Sequence, residues 1–206
     1  MTVAVVDLGI GNLASLGSAL RHIGIDHEVV QGSAEVQEAS VVLLPGVGAF
    51  DVAMERMDAL NLRESLARRA SEGLPILGIC LGMQLLFEGS AEGLLPGLGL
   101  LSGTCERLGR EPHVKVPHVG FDTVEADQAS WLAEALGSAP DFYFTHSYAV
   151  RAAPAGCFAA HCSYDGGFVA AVERWPLVGV QFHPEKSQSS GLSLLVAYLE
   201  RVRAAL

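Results

Sequence analysis

An apolar run ending in Gly78-Ile79-Cys80-Leu81-Gly82 constrains this chain more than any other feature. Pro75 to Ile79 reads as a buried strand and Leu81 to Phe87 as a helix, with no loop between them. A chain turns from strand to helix this sharply only where flanking residues lack side chains that collide, and a glycine on each side of the central residue meets that need. The middle side chain is then held in strain and exposed at the carboxyl end of the strand. Here it is a thiol. The dipole of the following helix favours thiolate, and the N–H of Leu81 is free to stabilise an oxyanion. Cys80 is therefore the candidate nucleophile, the plain alternative being a buried cysteine between glycines kept for packing.

The surrounding pattern predicts the sheet on which such a turn sits. Val3 to Val6, Glu28 to Val30, Val41 to Leu44 and Pro75 to Ile79 read as strands. Between them, Asn12 to Gly24 carries Leu13, Leu16, Leu20 and Ile23 at helical spacing, and Asp51 to Ser71 is helical in composition, in one or two pieces. Strands alternating with helices imply an α/β fold with a mostly parallel sheet and helices on both faces. Such sheets bind ligands at the carboxyl ends of their strands. Pro45-Gly46-Val47-Gly48, read as a loop, falls at such an end, as does Cys80. From Thr104 to Trp175 short alternating segments (114–124, 142–150, 158–171) suggest an antiparallel extension of the same sheet. Leu177 to Phe182 then returns to a buried strand, and Gly191 to Val202 is a closing helix.

Composition narrows the classes. A chain of 206 residues, half of them hydrophobic, suits one globular domain over residues 1–206. A formal net charge of −10 without a Lys/Arg block argues against a sequence-independent grip on nucleic acid. No apolar run is long enough to span a bilayer, and the start of the chain reads as a strand and not as a leader, so a cytoplasmic protein is expected. The other cysteines, Cys105, Cys157 and Cys162, form no C-x-x-C pair, and the seven histidines show no metal-ligand spacing; no metal or cofactor is expected.

A cysteine nucleophile needs a base. His183-Pro184-Glu185 follows the strand Leu177 to Phe182, and Pro184 stiffens a turn in which Glu185 can hydrogen-bond the His183 imidazole and fix its tautomer. Alone this tripeptide is a weak signal, but it falls at the same end of the same sheet as Cys80.

Gly78-Ile79-Cys80-Leu81-Gly82-Met83-Gln84 together with His183-Pro184-Glu185 resembles the class I (triad) glutamine amidotransferases. Within that class, the loop Pro45 to Phe50, the opening Asp7-Leu8-Gly9-Ile10-Gly11-Asn12, the segment Phe142 to Tyr148, and Glu185-Lys186-Ser187 are similar to those of glutaminase subunits of imidazole glycerol phosphate synthase. The resemblance implies a heterodimer with a cyclase subunit, to which ammonia from L-glutamine is passed for synthesis of imidazole glycerol phosphate and AICAR. It implies Cys80, His183 and Glu185 as the triad, with N–H groups of Leu81 and of the Val47 and Gly48 region as oxyanion hole. Gln84, Glu92, Thr145, His146, Ser147 and Tyr148 would bind glutamine, Glu92 taking its α-ammonium. Asn12, Phe121 and Lys186 would face the cyclase. One departure stands out: Gly120-Phe121-Asp122 replaces the family's frequent Gly-Trp-Asn, which removes an indole donor. Competing readings are the glutaminase of another synthase such as pyridoxal phosphate synthase, a non-catalytic regulatory protein, and a cysteine peptidase on the same kind of sheet. Intact Cys80, His183 and Glu185 count against the regulatory protein, and the 45–50 loop with Glu92 counts against the peptidase.

Overall fold

The β-branched run that opens the chain forms β1 (Val3–Val6), buried along its whole length. A computed structural model describes residues 1–126, 128–138 and 140–206. Asn12 caps α1 (Leu13–His22), its side-chain oxygen accepting from the N–H of Ser15. β2 (Glu28–Val30), α2 (Ser33–Glu38) and β3 (Val41–Gly46) follow. The helical stretch beyond is two helices, α3 (Phe50–Ala59) and α4 (Leu62–Ser71), separated at Asn61, whose φ of 54° cannot continue a helix. β4 (Ile76–Cys80) runs directly into α5 (Leu81–Leu85). The second half holds β5 (Gly89–Ser90), β6 (Thr104–Arg107), β7 (His118–Thr123), β8 (Glu125–Ala126), α6 (Trp131–Leu136), β9 (Asp141–His146) and β10 (Tyr148–Val150). It ends with β11 (Phe158–Cys162), β12 (Phe168–Arg174), β13 (Leu177–Val180) and α7 (Gln188–Ala205).

Among the described residues, one sheet runs in the order β2-β1-β3-β4-β13-β12-β11-β8. It is parallel from β2 to β13 and antiparallel from β13 outward. Successive residues of β1 serve opposite faces: Val3 and Val5 pack with Leu16, Leu20, Leu195 and Leu199 of α1 and α7, whereas Ala4 and Val6 pack with Val36, Met54, Leu66 and Met83 of α2 to α5. Both faces are thus covered, which is why the central strands read as unbroken apolar runs.

The structure differs from expectation in five places. Cys80, expected to be exposed at the end of its strand, is buried where β4 meets α5. Pro45 and Gly46 belong to β3, paired with Ile79 and Cys80; β1 accompanies β3 only as far as Leu43, so Pro45 lies where one neighbour has run out and its missing N–H forfeits little. The alternating segments do not all extend the main sheet: β7 pairs with β9 in a separate ribbon, and β10 joins β5 and β6 in a small sheet. The helix after Cys80 is a single five-residue turn and does not reach Phe87. The short α2 carried no readable signal, because only Val36 of its six residues is buried. No helix among the described residues is long and apolar enough to cross a membrane.

Candidate active site

Cys80 closes β4 with φ 55° and ψ −112°, a conformation that side chains rarely adopt. Packing enforces it. A Cβ on Gly82 would lie 1.7 Å from the carbonyl oxygen of Leu44, and one on Gly78 would lie 2.7 Å from that of Gly82. Both glycines are required by close approach of backbone, as the motif suggested.

His183 follows β13 and sits in the turn 183–187. Its N–H donates to the Tyr143 carbonyl at 2.8 Å. The Ser187 hydroxyl donates to the His183 carbonyl at 2.6 Å and accepts from the Tyr143 N–H at 2.9 Å. The ring is equally fixed: Nδ1 lies 2.8 Å from Oε1 of Glu185, whose side chain is almost wholly buried. With Nδ1 donating to the carboxylate, Nε2 is the nitrogen left for chemistry. It is buried without a hydrogen-bond partner among the described residues, and Cys80 is the group beside it. Burial alone would lower the His183 pKa, but the Cys80 sulfur and the Glu185 carboxylate outweigh it and push it up to about 9.

Cys80 opens onto a cavity of about 280 Å³ lined by Val47, Gly48, Leu81, Gln84, Glu92, Pro117, Thr145, His146, Ser147 and Tyr148. This size, at the small end for ligand sites, suits a metabolite better than a peptide. Every residue expected in the oxyanion hole or at the substrate is in this wall, and His183 and Glu185 stand behind it. Glu92 accepts from the N–H of Phe50, the first residue of α3, at 2.9 Å, leaving its other oxygen for a ligand. The Gln84 nitrogen is already committed: it donates to the Tyr148 carbonyl at 2.8 Å and to Oε1 of Gln181 at 3.0 Å. His146 Nδ1 also donates to the Tyr148 carbonyl, at 2.9 Å, so its Nε2 accepts from Nδ1 of His118 at 3.3 Å. Burial, partly offset by the Tyr148 carbonyl, lowers the His146 pKa to about 3.

Reasoning from sequence missed one residue of the wall and two that lie behind it. Pro117 lines the cavity, His118 sits beneath His146, and Gln181 lies fully buried beside Cys80. Gln181 stood at the end of a strand recognised only by its apolar run; a lone glutamine before the His-Pro-Glu turn was the available signal. The proposed cyclase-facing residues are surface ones. Phe121 is 49% exposed on β7 and meets Tyr143 edge-on across the ribbon, with Lys186 Nζ above the same ring at 5.7 Å. Asn12 is exposed but spends its side chain on capping α1. Among the described residues no group of three His, Cys, Asp or Glu side chains could hold a metal ion.

A cysteine on a strained strand-to-helix turn, a histidine aligned by a glutamate, and a small polar cavity at the carboxyl ends of parallel strands define the class of a triad hydrolase. The chain belongs to the class I glutamine amidotransferase family, whose profile matches residues 4–197. It is 43% identical over 202 residues to the imidazole glycerol phosphate synthase subunit HisH of Oceanobacillus iheyensis, covering 98% of this chain and 100% of that one. It is 42% identical to the protein of the same name from Nostoc punctiforme, over 98% and 96% of the two chains. Solved structures share the fold: a glutamine amidotransferase superposes with TM-score 0.78 at 20% identity over 98% of each chain. PurLQS from Thermotoga maritima gives 0.74 at 16% identity, again over 98% of each chain.

Proposed function

We infer that this chain is the glutaminase subunit of imidazole glycerol phosphate synthase. It hydrolyses L-glutamine to L-glutamate and ammonia and hands the ammonia to a cyclase subunit in the cytoplasm, in histidine biosynthesis. The observation that carries the reading is the convergence of Cys80, the His183–Glu185 pair and the Glu92 and Gln84 walls on one small cavity.

The chemistry follows from the geometry. Near neutral pH His183, with its raised pKa, is an imidazolium next to the Cys80 sulfur. The thiolate attacks the side-chain amide carbon of glutamine. The developing oxyanion is met by the N–H of Leu81 and by one from Val47 or Gly48. His183 gives the Nε2 proton to the departing ammonia, leaving a glutamyl thioester. Water, deprotonated by the now neutral His183, attacks the thioester and releases glutamate and the thiolate. Glu185 holds the tautomer through both halves. Glu92 pairs with the α-ammonium of glutamine.

The cyclase docks on the face formed by Val119, Phe121, Tyr143 and Lys186, where exposed apolar side chains and an aromatic ring lie beside a cation. Measuring glutamate release by this chain alone, with the cyclase, and with the cyclase plus its ribonucleotide ligand tests the whole reading. Turnover that rises along this series is expected; no glutamate under any condition refutes it.

A further inference from the structure

Two contacts at the Cys80 sulfur have opposite preferences. The Thr145 carbonyl oxygen lies 3.9 Å from Sγ and favours the protonated thiol, which can donate to it. The Gln181 Nε2 lies 3.8 Å from Sγ and favours the thiolate, which accepts from it more strongly. The five-residue α5 has too short a dipole to decide the matter. We propose that Gln181 is a further catalytic residue, its amide N–H holding the Cys80 sulfur as thiolate, and that Gln84 is the positioning residue that makes it point that way.

The orientation of the Gln181 amide is forced. The Tyr148 carbonyl can only accept, so Gln84 must present its nitrogen to it. The same Gln84 nitrogen then donates to Gln181 at 3.0 Å, so the atom of Gln181 on that side must be oxygen. Its nitrogen is thereby turned to the sulfur. Flipping the Gln181 amide would set two donors against each other at Gln84 and a lone pair against the thiolate. Register supplies the placement: Val180 of β13 pairs with Ile79 of β4, so the next residues, Gln181 and Cys80, are neighbours. Gln181 is completely buried, so water does not compete for its N–H. The proton balance is simple. The Cys80 proton passes to Nε2 of His183, and the sulfur lone pair left behind accepts from Gln181, with no bond to Gln181 formed or broken. A line of hydrogen bonds therefore runs from the glutamine pocket at Tyr148 through Gln84 and Gln181 to the reacting sulfur.

This inference rests on the glutaminase reading for its purpose, but its test does not. The rate of alkylation of Cys80 by iodoacetamide, followed by mass spectrometry across pH, reports thiolate without glutamine. In the full chain, Gln181→Met removes the donor at similar volume and should move the midpoint of that profile up by roughly one pH unit, about a tenfold loss of rate on the acid side. Gln181→Glu should move it further, and Gln84→Met, which frees the amide to flip, by less in the same direction. In the complex, Gln181→Met should lower kcat about tenfold with KM for glutamine little changed, because Gln181 does not line the cavity. An unchanged midpoint in folded Gln181→Met overturns the proposal; if that variant does not fold, an unchanged midpoint in Gln84→Met does so. A wild-type protein that makes no glutamate but shows these shifts would overturn the glutaminase reading and leave the thiolate assignment standing.

Discussion

The two sides of the reacting centre are built on opposite plans. On the nucleophile side, β4 and α5 are buried from Ile76 to Leu85, and glycines 78 and 82 have no room for a methyl group. On the oxyanion side, Gly48 and Ala49 are exposed, and a Cβ on Gly48 would meet nothing within 4 Å. That loop is held at its ends, by the pairing of Gly46 with Cys80, by the bond from the Ala53 N–H to the Ala49 carbonyl and by the bond from the Phe50 N–H to Glu92. Gly48 is a glycine for a different reason: its φ of 103°. The elbow is fixed by packing, whereas the space around Gly48 leaves room for a peptide unit to rotate. We propose that the nucleophile is preset and that the oxyanion donors are the part a partner regulates, a sensible division for an enzyme whose ammonia is wasted without an acceptor.

The largest effects should come from the packed side. Gly82→Ala drives a methyl group into the Leu44 carbonyl and should cost more than about 4 kcal/mol, the exceptional end for single substitutions. Loss of soluble expression or a collapse in Tm checks this; a stable Gly82→Ala protein would break the contrast. Cys80→Ala keeps the backbone and should lose glutamine turnover by a factor on the order of 10⁴ or more, with His183→Ala close behind because triad members act as a unit. Exogenous ammonia should still drive the cyclase in both, which locates the defect in the glutaminase step. Alkylation by a glutamine-like electrophile should be confined to Cys80. Burial pushes the Cys105 thiol up, and the Cys162 thiol up to about 12, so neither competes as a thiolate.

Gly48→Ala sharpens the comparison. There is space for the methyl group, so Tm should fall by only a few degrees, reflecting a left-handed backbone cost of about 1–2 kcal/mol. Turnover in the activated complex should fall on the order of a hundredfold, the usual consequence of losing one oxyanion donor. Full activation by cyclase and ligand in Gly48→Ala would show that the switch lies elsewhere.

The same division explains what could be read from the sequence. The parallel half of the sheet was legible because its strands are buried on both faces and its helices carry apolar positions at helical spacing. The elbow was legible because glycines needed by sterics occupy fixed places around the nucleophile. The antiparallel half was not. Period-two alternation marks a strand but not its neighbour, and β7 finds β9 across an intervening strand and helix, His118 opposite His146. Gln181 was hidden because a buried polar side chain at the end of an apolar strand looks like the strand's end. Asn12, expected at an interface, has its side chain on a helix cap, a local use that its position before Leu13 could have suggested.

The smallest effect concerns pH, and it separates the two sides without disturbing either. His183 has a folded pKa of about 9 against 6.5 for an unperturbed imidazole. The stability it contributes is fully present below about pH 6.5 and is lost as pH rises through about 9. Acylation needs the imidazolium that protonates the leaving ammonia, so kcat/KM for glutamine should decline along an alkaline limb centred near 9. Residues Pro45 to Ala49 carry no ionisable side chain. Gly48→Ala should therefore lower the whole profile and leave the midpoint of that limb where it was. Glu185→Gln removes a carboxylate that raises the His183 pKa, so the limb should move to lower pH, with a smaller loss of turnover at neutral pH than His183→Ala causes. A midpoint that moves in Gly48→Ala would mean that the loop shapes the charge of the triad, and the two sides would no longer be independent.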